Sequence, residues 1–146
     1  YAKNVLGIEN ATSEEFEENA DNPIIAYLPD QYKGIKVGGT LRLGLQDCEL
    51  SEDSLAFDCY KVKTISERHR HRYEFNNAYK QQFIDGGLTI SGVNSKADLV
   101  EIIEVKDHPF YIGVQFHPEF LSRVLKPHPL FLRLIIEAKK RSHSKE

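Results

Sequence analysis

Methionine and tryptophan are both absent from this chain of 146 residues, and cysteine occurs only twice, as Cys48 and Cys59. Residue 1 is Tyr1, whereas a translated chain opens on methionine, and trimming ahead of a bulky tyrosine is not expected. The sequence therefore reads as a piece of a longer protein. Two cysteines are too few for the disulfide framework of a secreted scaffold, so a reducing cytoplasm is the default location. No apolar run approaches the roughly 20 residues that a membrane span needs, and no signal-peptide pattern opens the chain. Positive charge is in deficit as well: 19 Lys and Arg stand against 22 Asp and Glu, for a net charge of −3. A dedicated nucleic-acid-binding domain would carry the opposite sign. Internal repeats and low-complexity stretches are missing. What is there, 40% apolar and 28% charged residues, is the make-up of a soluble globular domain with its own core.

Along the chain, strand and helix patterns are mixed. Ala2, Val5 and Leu6 recur at helical spacing and Gly7 follows as a stop, so the chain opens on the end of a helix. An acidic stretch, "NATSEEFEENADNP", reads as loop with a short helical turn. "PIIAYL" reads as a buried strand, and "DQYKGIKVGGT" as an exposed loop. "TLRLGLQDCEL" sets Leu41, Leu43 and Leu45 against Arg42, Gly44 and Gln46 and reads as a half-buried strand. "SEDSLAFDCYK" opens with part of a capping pattern, Ser51 as N-cap. "SERHRHRYEF" is a strand by strict alternation. "NNAYKQQFIDGG" is a helix capped by Asn76 or Asn77 and stopped at Gly86–Gly87. "LTISGV", "DLVEIIEV" and "FYIGVQF" are further strands, and "HPLFLRLIIEAKKRSH" a closing amphipathic helix with basic residues in its last turns. The pattern implies an α/β domain with a side sheet, or the second half of one.

The chemistry concentrates in "VQFHPEF". Pro118 fixes its own φ and pushes His117 toward an extended conformation. Residues two apart in an extended segment point to one side, so His117 and Glu119 can lie together. A carboxylate against one ring nitrogen fixes the tautomer and leaves the other nitrogen as a base, which is the base and orienter of a triad without its nucleophile. An incidental ion pair on a surface turn is the plainer alternative. In "RHRHR", His69 and His71 share one strand face and Arg68, Arg70 and Arg72 the other. Two histidines are too few for a zinc site, and no ligand pair nearby completes one. The basic run is short, flanked by Glu67 and Glu74, and does not amount to a nucleic-acid patch. "GGTLRLG" lacks the Lys-Ser/Thr end of a phosphate loop. Cys48 and Cys59 sit in "LQDCEL" and "AFDCYK", without flanking glycines, and read as small buried apolar residues.

Four segments in order carry a resemblance. "GVQFHPEF" resembles the His-Pro-Glu signature of class I, triad-type glutamine amidotransferases. "IENATSEEF", "GGTLRLG" and "ERHRHRYEFN" resemble the CTP synthase family in particular, and the likeness runs from Tyr1 to about Pro129. It implies the class I glutamine amidotransferase fold, an α/β architecture with a flavodoxin-like central sheet plus a side sheet. Residues 1–146 would be the C-terminal portion of that domain, the nucleophile segment and an N-terminal synthase domain lying upstream. It implies that glutamine is hydrolysed and the ammonia passed to the synthase domain, which aminates UTP with ATP and Mg²⁺. His117 then matches the general base and Glu119 its orienter. Glu15 matches the carboxylate that holds the α-amino group of glutamine, and Arg72 the residue that pairs with its α-carboxylate, with Tyr73 beside it. One anion and one two-pronged cation suit a zwitterionic amino acid.

The family nucleophile is a cysteine in a Gly-x-Cys-x-Gly turn, and no such motif occurs here. The fragment alone is thus expected to be inactive. The resemblance implies no cofactor within residues 1–146, GTP as an allosteric activator in the region of the "DQYKGIKVGGT" loop, a cytoplasmic homotetramer, and neither nucleic acid nor membrane as a partner. Two alternatives stand beside it: an amidotransferase serving another acceptor, which "ERHRHRYEFN" disfavours, and a non-catalytic glutamine-binding module without a nucleophile.

Overall fold

The structure is a computed structural model that describes residues 1–27, 37–38 and 41–143. Most of the "DQYKGIKVGGT" loop falls outside the described residues. Within it, Val37–Gly38 forms a short strand, β3, where loop was expected.

Strands fall into two sheets. The smaller has β1 (Ala11–Ser13), β2 (Asn22–Ala26) and β6 (Glu74–Phe75) in the order β1-β2-β6, with β1 and β2 parallel. The larger runs β3-β4-β7-β8-β9, with β5 also pairing β4, and its pairings are antiparallel. Its members are β4 (Leu41–Leu50), β5 (Thr64–His71), β7 (Leu88–Asn94), β8 (Leu99–Val105) and β9 (Ile112–Val114). The near-continuous burial of β8 follows from its place between β7 and β9. Gly92 of β7 lets two strands approach closely: a Cβ there would lie 2.6 Å from Ile102 and 2.7 Å from Cys48.

Helices close the ends. Helix α1 (Leu55–Tyr60) is capped by Ser54, not by Ser51: the Ser54 hydroxyl accepts from the Phe57 N–H, and Glu104 takes the N–H groups of Leu55 and Ala56. A 3-10 turn, Asn77–Tyr79, leads into α2 (Lys80–Asp85); Asn76 caps the turn, and Gly87, at φ 94°, ends the unit. Helix α3 (Pro129–His143) buries Leu130, whereas Leu132, Ile135 and Ile136 stay largely exposed. At the start of the chain the N–H groups of Val5 and Leu6 donate to the Tyr1 carbonyl and Gly7 sits at φ 65°: a hydrogen-bonded turn stands where a helix end was expected.

The core has two parts. One gathers Cys48, Leu50, Ala56, Ile65, Ile102, Phe116 and Leu130, the other Ala11, Ile24, Phe75, Phe83, Leu88 and Val100. The first sets the facing of β4. Cys48 and Leu50 must point inward, so by strand parity Gln46 and Arg42 do too. The half-buried strand is there, but its polar side is the buried one: Arg42 is 0% exposed, against 46% for Leu43 and 56% for Leu45.

Candidate active site

His117 sits just beyond β9 and Phe116. Its backbone N–H donates to the Arg68 carbonyl of β5 at 2.9 Å, so the residue is pinned to the neighbouring strand. Its φ of −110° and ψ of 92° are the extended values that the following proline demands. Pro118–Phe120 does not continue extended but turns into a 3-10 turn. The side chains therefore meet through a tight turn and not through strand alternation. The outcome is the expected one: His117 Nδ1 lies 2.8 Å from Glu119 Oε1. With Nδ1–H donating to that carboxylate, Nε2 is the free base. The bond from His117 holds the Glu119 carboxyl below the usual carboxylate range. The Phe120 ring stacks on the imidazole at 4.9 Å.

Glu15, Arg72 and Tyr73 line one cavity of about 330 Å³, together with Arg70, His71 and Gln115. Three turns of the chain converge there. Glu15 follows β1, in a turn where Glu15 N–H donates to Ser13 Oγ and Glu14 N–H to the Ile25 carbonyl. Arg72 and Tyr73 occupy the break between β5 and β6, where the strand expected over "SERHRHRYEF" leaves one sheet and joins the other. Gln115 comes from the segment that ends in His117, two residues on. One acidic residue and two arginines thus line a shared space, joined through Gln115 to the segment that carries the imidazole–carboxylate pair. Gln115 was not singled out in the sequence, and Arg70 and His71 were noted there without a place in the pocket; the alternation that aims Arg72 also aims Arg70.

Beneath the cavity lies a buried charged cluster. Arg42 bonds Glu101 and lies 3.5 Å from Glu74, and all three side chains are 0% exposed. Two carboxylates share one guanidinium, so one proton stays with the pair. Burial pushes Glu74 up to about 8, against the pull of Arg42 and with the help of Glu101, and burial raises Glu101 as well. His69 is driven down to about 2 and His71 to about 4, chiefly by burial and then by Arg42. With both rings neutral the hydrogen bonds order themselves. His71 Nδ1–H donates to the Tyr73 carbonyl at 3.0 Å, and His71 Nε2 accepts from His69 Nδ1–H at 2.8 Å. The cluster so fixes the backbone of Tyr73 in the cavity wall. The sequence signal for it was a glutamate, Glu101, inside the apolar run "DLVEIIEV".

Neither cysteine is placed as a nucleophile. Cys48 is fully buried and its thiol is pushed up by that burial; Cys59 is half-buried and also raised by burial. The expectation of a small buried residue thus holds for Cys48 and only partly for Cys59.

A three-stranded sheet with a parallel pair, an antiparallel side sheet and a His-Pro-Glu turn define a class of protein. Residues 11–136 match the family "Glutamine amidotransferase class-I", and the chain belongs to that family. Its sequence is similar to CTP synthases: 57% identical to that of Treponema denticola and 54% to that of Bacillus velezensis, each over 131 residues, which is 90% of this chain and 24% of the relative. The chain spans about a quarter of the length of these curated relatives. Its fold is similar to the glutaminase domain of Trypanosoma brucei CTPS solved with bound acivicin, at a TM-score of 0.84 and 32% identity, covering 95% of this chain and 54% of that one.

Proposed function

We propose that this chain supplies the base, its orienter and the amino-acid pocket for glutamine hydrolysis in a CTP synthase. The observation that carries the reading is the convergence of Glu15, Arg72 and Tyr73 on one cavity that Gln115, two residues before the paired His117, also lines. Glu15 holds the α-ammonium group of glutamine. Arg72 takes its α-carboxylate with two parallel bonds, and Tyr73 shapes the pocket between them.

The nucleophile is a cysteine thiol from the family's Gly-x-Cys-x-Gly turn, which is not part of this chain. His117 Nε2 removes the thiol proton as sulfur attacks the amide carbon of glutamine. The proton then passes to the departing nitrogen, which leaves as ammonia, with a glutamyl thioester behind. A water molecule, deprotonated by the same nitrogen, attacks that ester, and glutamate and the thiol are released. Glu119 keeps the imidazole in one tautomer and stabilises the imidazolium that forms twice in the cycle.

In this reading the ammonia aminates UTP in a synthase domain that uses ATP and Mg²⁺. The whole protein is then a cytoplasmic, homotetrameric ligase of pyrimidine biosynthesis, activated by GTP. Glutaminase kinetics on the full-length protein test the pocket. Arg72→Ala and Glu15→Ala should each raise KM for glutamine, by a loss on the order of 2–5 kcal/mol if the pair is desolvated. KM for ammonia, which has neither charged end, should stay as it is. Unchanged glutamine KM in both variants would mean that the pocket lies elsewhere.

A further inference from the structure

Residues 117–128 carry the base, yet little apolar burial anchors them. After the 3-10 turn, Arg123 and Lys126 pair with each other through two backbone bonds of 3.1 Å. Val124 and Leu125 at the tip are 99% and 98% exposed. What holds this segment is polar, and both of its ends come to two adjacent residues of β5. At one end the Arg68 carbonyl accepts the His117 N–H. At the other, the Glu67 side chain takes His128.

His128 and Glu67 are each 3% exposed. His128 Nδ1 lies 3.3 Å from the Leu130 N–H and accepts from it, so Nε2 carries the proton. That Nε2–H donates to Glu67 Oε1 at 2.8 Å, and the Tyr60 hydroxyl donates to the same oxygen at 2.8 Å. The His128 backbone N–H donates to Ser122 Oγ at 3.1 Å, which ties the end of the segment to its middle. The His128 ring packs against Tyr60 and Phe131, and 6.5 Å from Phe116, the buried residue directly before His117. A carboxylate buried against an imidazole adds little net stability over a well-packed apolar pair, but it allows one arrangement only.

We propose that Glu67, Tyr60 and His128 are positioning residues: a clamp on the far end of segment 117–128 that sets where His117 Nε2 stands relative to the pocket. The proposal rests on His117 being the base. A plainer role for His128 is that of N-cap to α3, through the Leu130 N–H alone. The two roles use different nitrogens, so two amide substitutions separate them. The Gln side chain can place an N–H where Nε2 stands, whereas the Asn side chain can place an oxygen where Nδ1 stands.

The experiment measures glutamine-driven and ammonia-driven turnover of the full-length protein in His128→Ala, His128→Gln, His128→Asn and Tyr60→Phe, with His117→Ala as reference. The clamp predicts that His128→Ala lowers kcat with glutamine by about 10- to 100-fold, the scale of a base misplaced by about 1 Å. KM for glutamine should stay within about twofold and the ammonia-driven rate should not change. His128→Gln recovers most of the loss and His128→Asn does not; Tyr60→Phe shows a smaller fall in the same direction. Rescue by Asn and not by Gln, an equal fall with glutamine and ammonia, or an unchanged kcat in His128→Ala would each overturn the clamp. If His128→Ala does not fold, the contrast between the Gln and Asn variants decides. If His117→Ala keeps its glutamine activity, the assignment of the base has failed; if it loses that activity while the His128 variants keep theirs, only the clamp has failed.

Discussion

Strand β5 and its exit send Arg68, Arg70 and Arg72 one way and Glu67, His69 and His71 the other, and the two faces do different work. The arginines stay exposed, and two of them line the cavity with Glu15 and Gln115. Glu67 and His69 are buried and His71 is half-buried: Glu67 bonds Tyr60 and His128, His69 bonds His71 and lies 3.8 Å from Glu101, and His71 bonds the Tyr73 carbonyl. The proton affinities separate in the same way. Burial moves His69, His71 and Glu74 far from their ordinary values and raises Glu101, while on the open side Glu119 is lowered, chiefly by the bond from His117. A five-residue run, "RHRHR", thus contributes cavity wall and architecture together, and strand parity sets most of the division, with His71 alone reaching both.

The widest contrast between the faces should be in stability. Arg42→Met removes the cation from between two buried carboxylates and should cost about 3–5 kcal/mol in denaturant unfolding. A loss below about 1 kcal/mol would show that the cluster is solvated and that the inward face is not what holds the wall. On the outward face the effect should be on binding. Arg72→Lys keeps the charge and loses the two-pronged geometry, so its glutamine KM should fall between wild type and Arg72→Ala. A Lys variant equal to wild type would mean that Arg72 acts as a point charge.

The buried carboxylate gives a pH signature. A carboxyl raised from 4.5 to about 8 contributes stability that is present below 4.5 and lost as pH rises through about 8. Glu74→Gln has nothing to titrate, so wild type should lose ground against it across that window, by up to about 1.4 kcal/mol per pH unit. Histidines work in the opposite sense. His71, lowered from 6.5 to about 4, contributes stability above 6.5 that is lost as pH falls through about 4. A pH-independent difference between wild type and Glu74→Gln would show that Glu74 is ionised throughout. The smallest effect belongs to Arg68→Ala, because its role toward His117 runs through the backbone carbonyl: within about 0.5 kcal/mol of wild type.

How much was legible in the sequence follows from the range of each signal. Short-range signals held. Pro118 set the backbone of His117, Gly7 and Gly86–Gly87 ended their turns, and Asn76 capped where expected. The pairing of His117 with Glu119 was right although its route was not, because a 3-10 turn brings i and i+2 together as well as a strand does. The long-range signals misled. The leucines of β4 look like its inward face, but Cys48 and Leu50 at the far end of the strand dictate the parity, and Arg42 is carried inward with them. Nothing local in "GGTLRLG" announces that Glu74 and Glu101 wait there. The break that divides "SERHRHRYEF" between two sheets, and so opens the pocket at Arg72 and Tyr73, depends on β2 for its partner. The loop assigned to GTP lies mostly outside the described residues.

The most direct test is the ratio of glutamine-driven to ammonia-driven CTP formation in the full-length protein carrying His117→Ala. Free ammonia bypasses the step that needs a base. The outward face of this chain, read as the half-site for glutamine hydrolysis, predicts that glutamine-driven formation falls at least about 100-fold while ammonia-driven formation stays near wild type. If both rates fell together, or neither did, His117 would not be the base and the account of this site would be wrong.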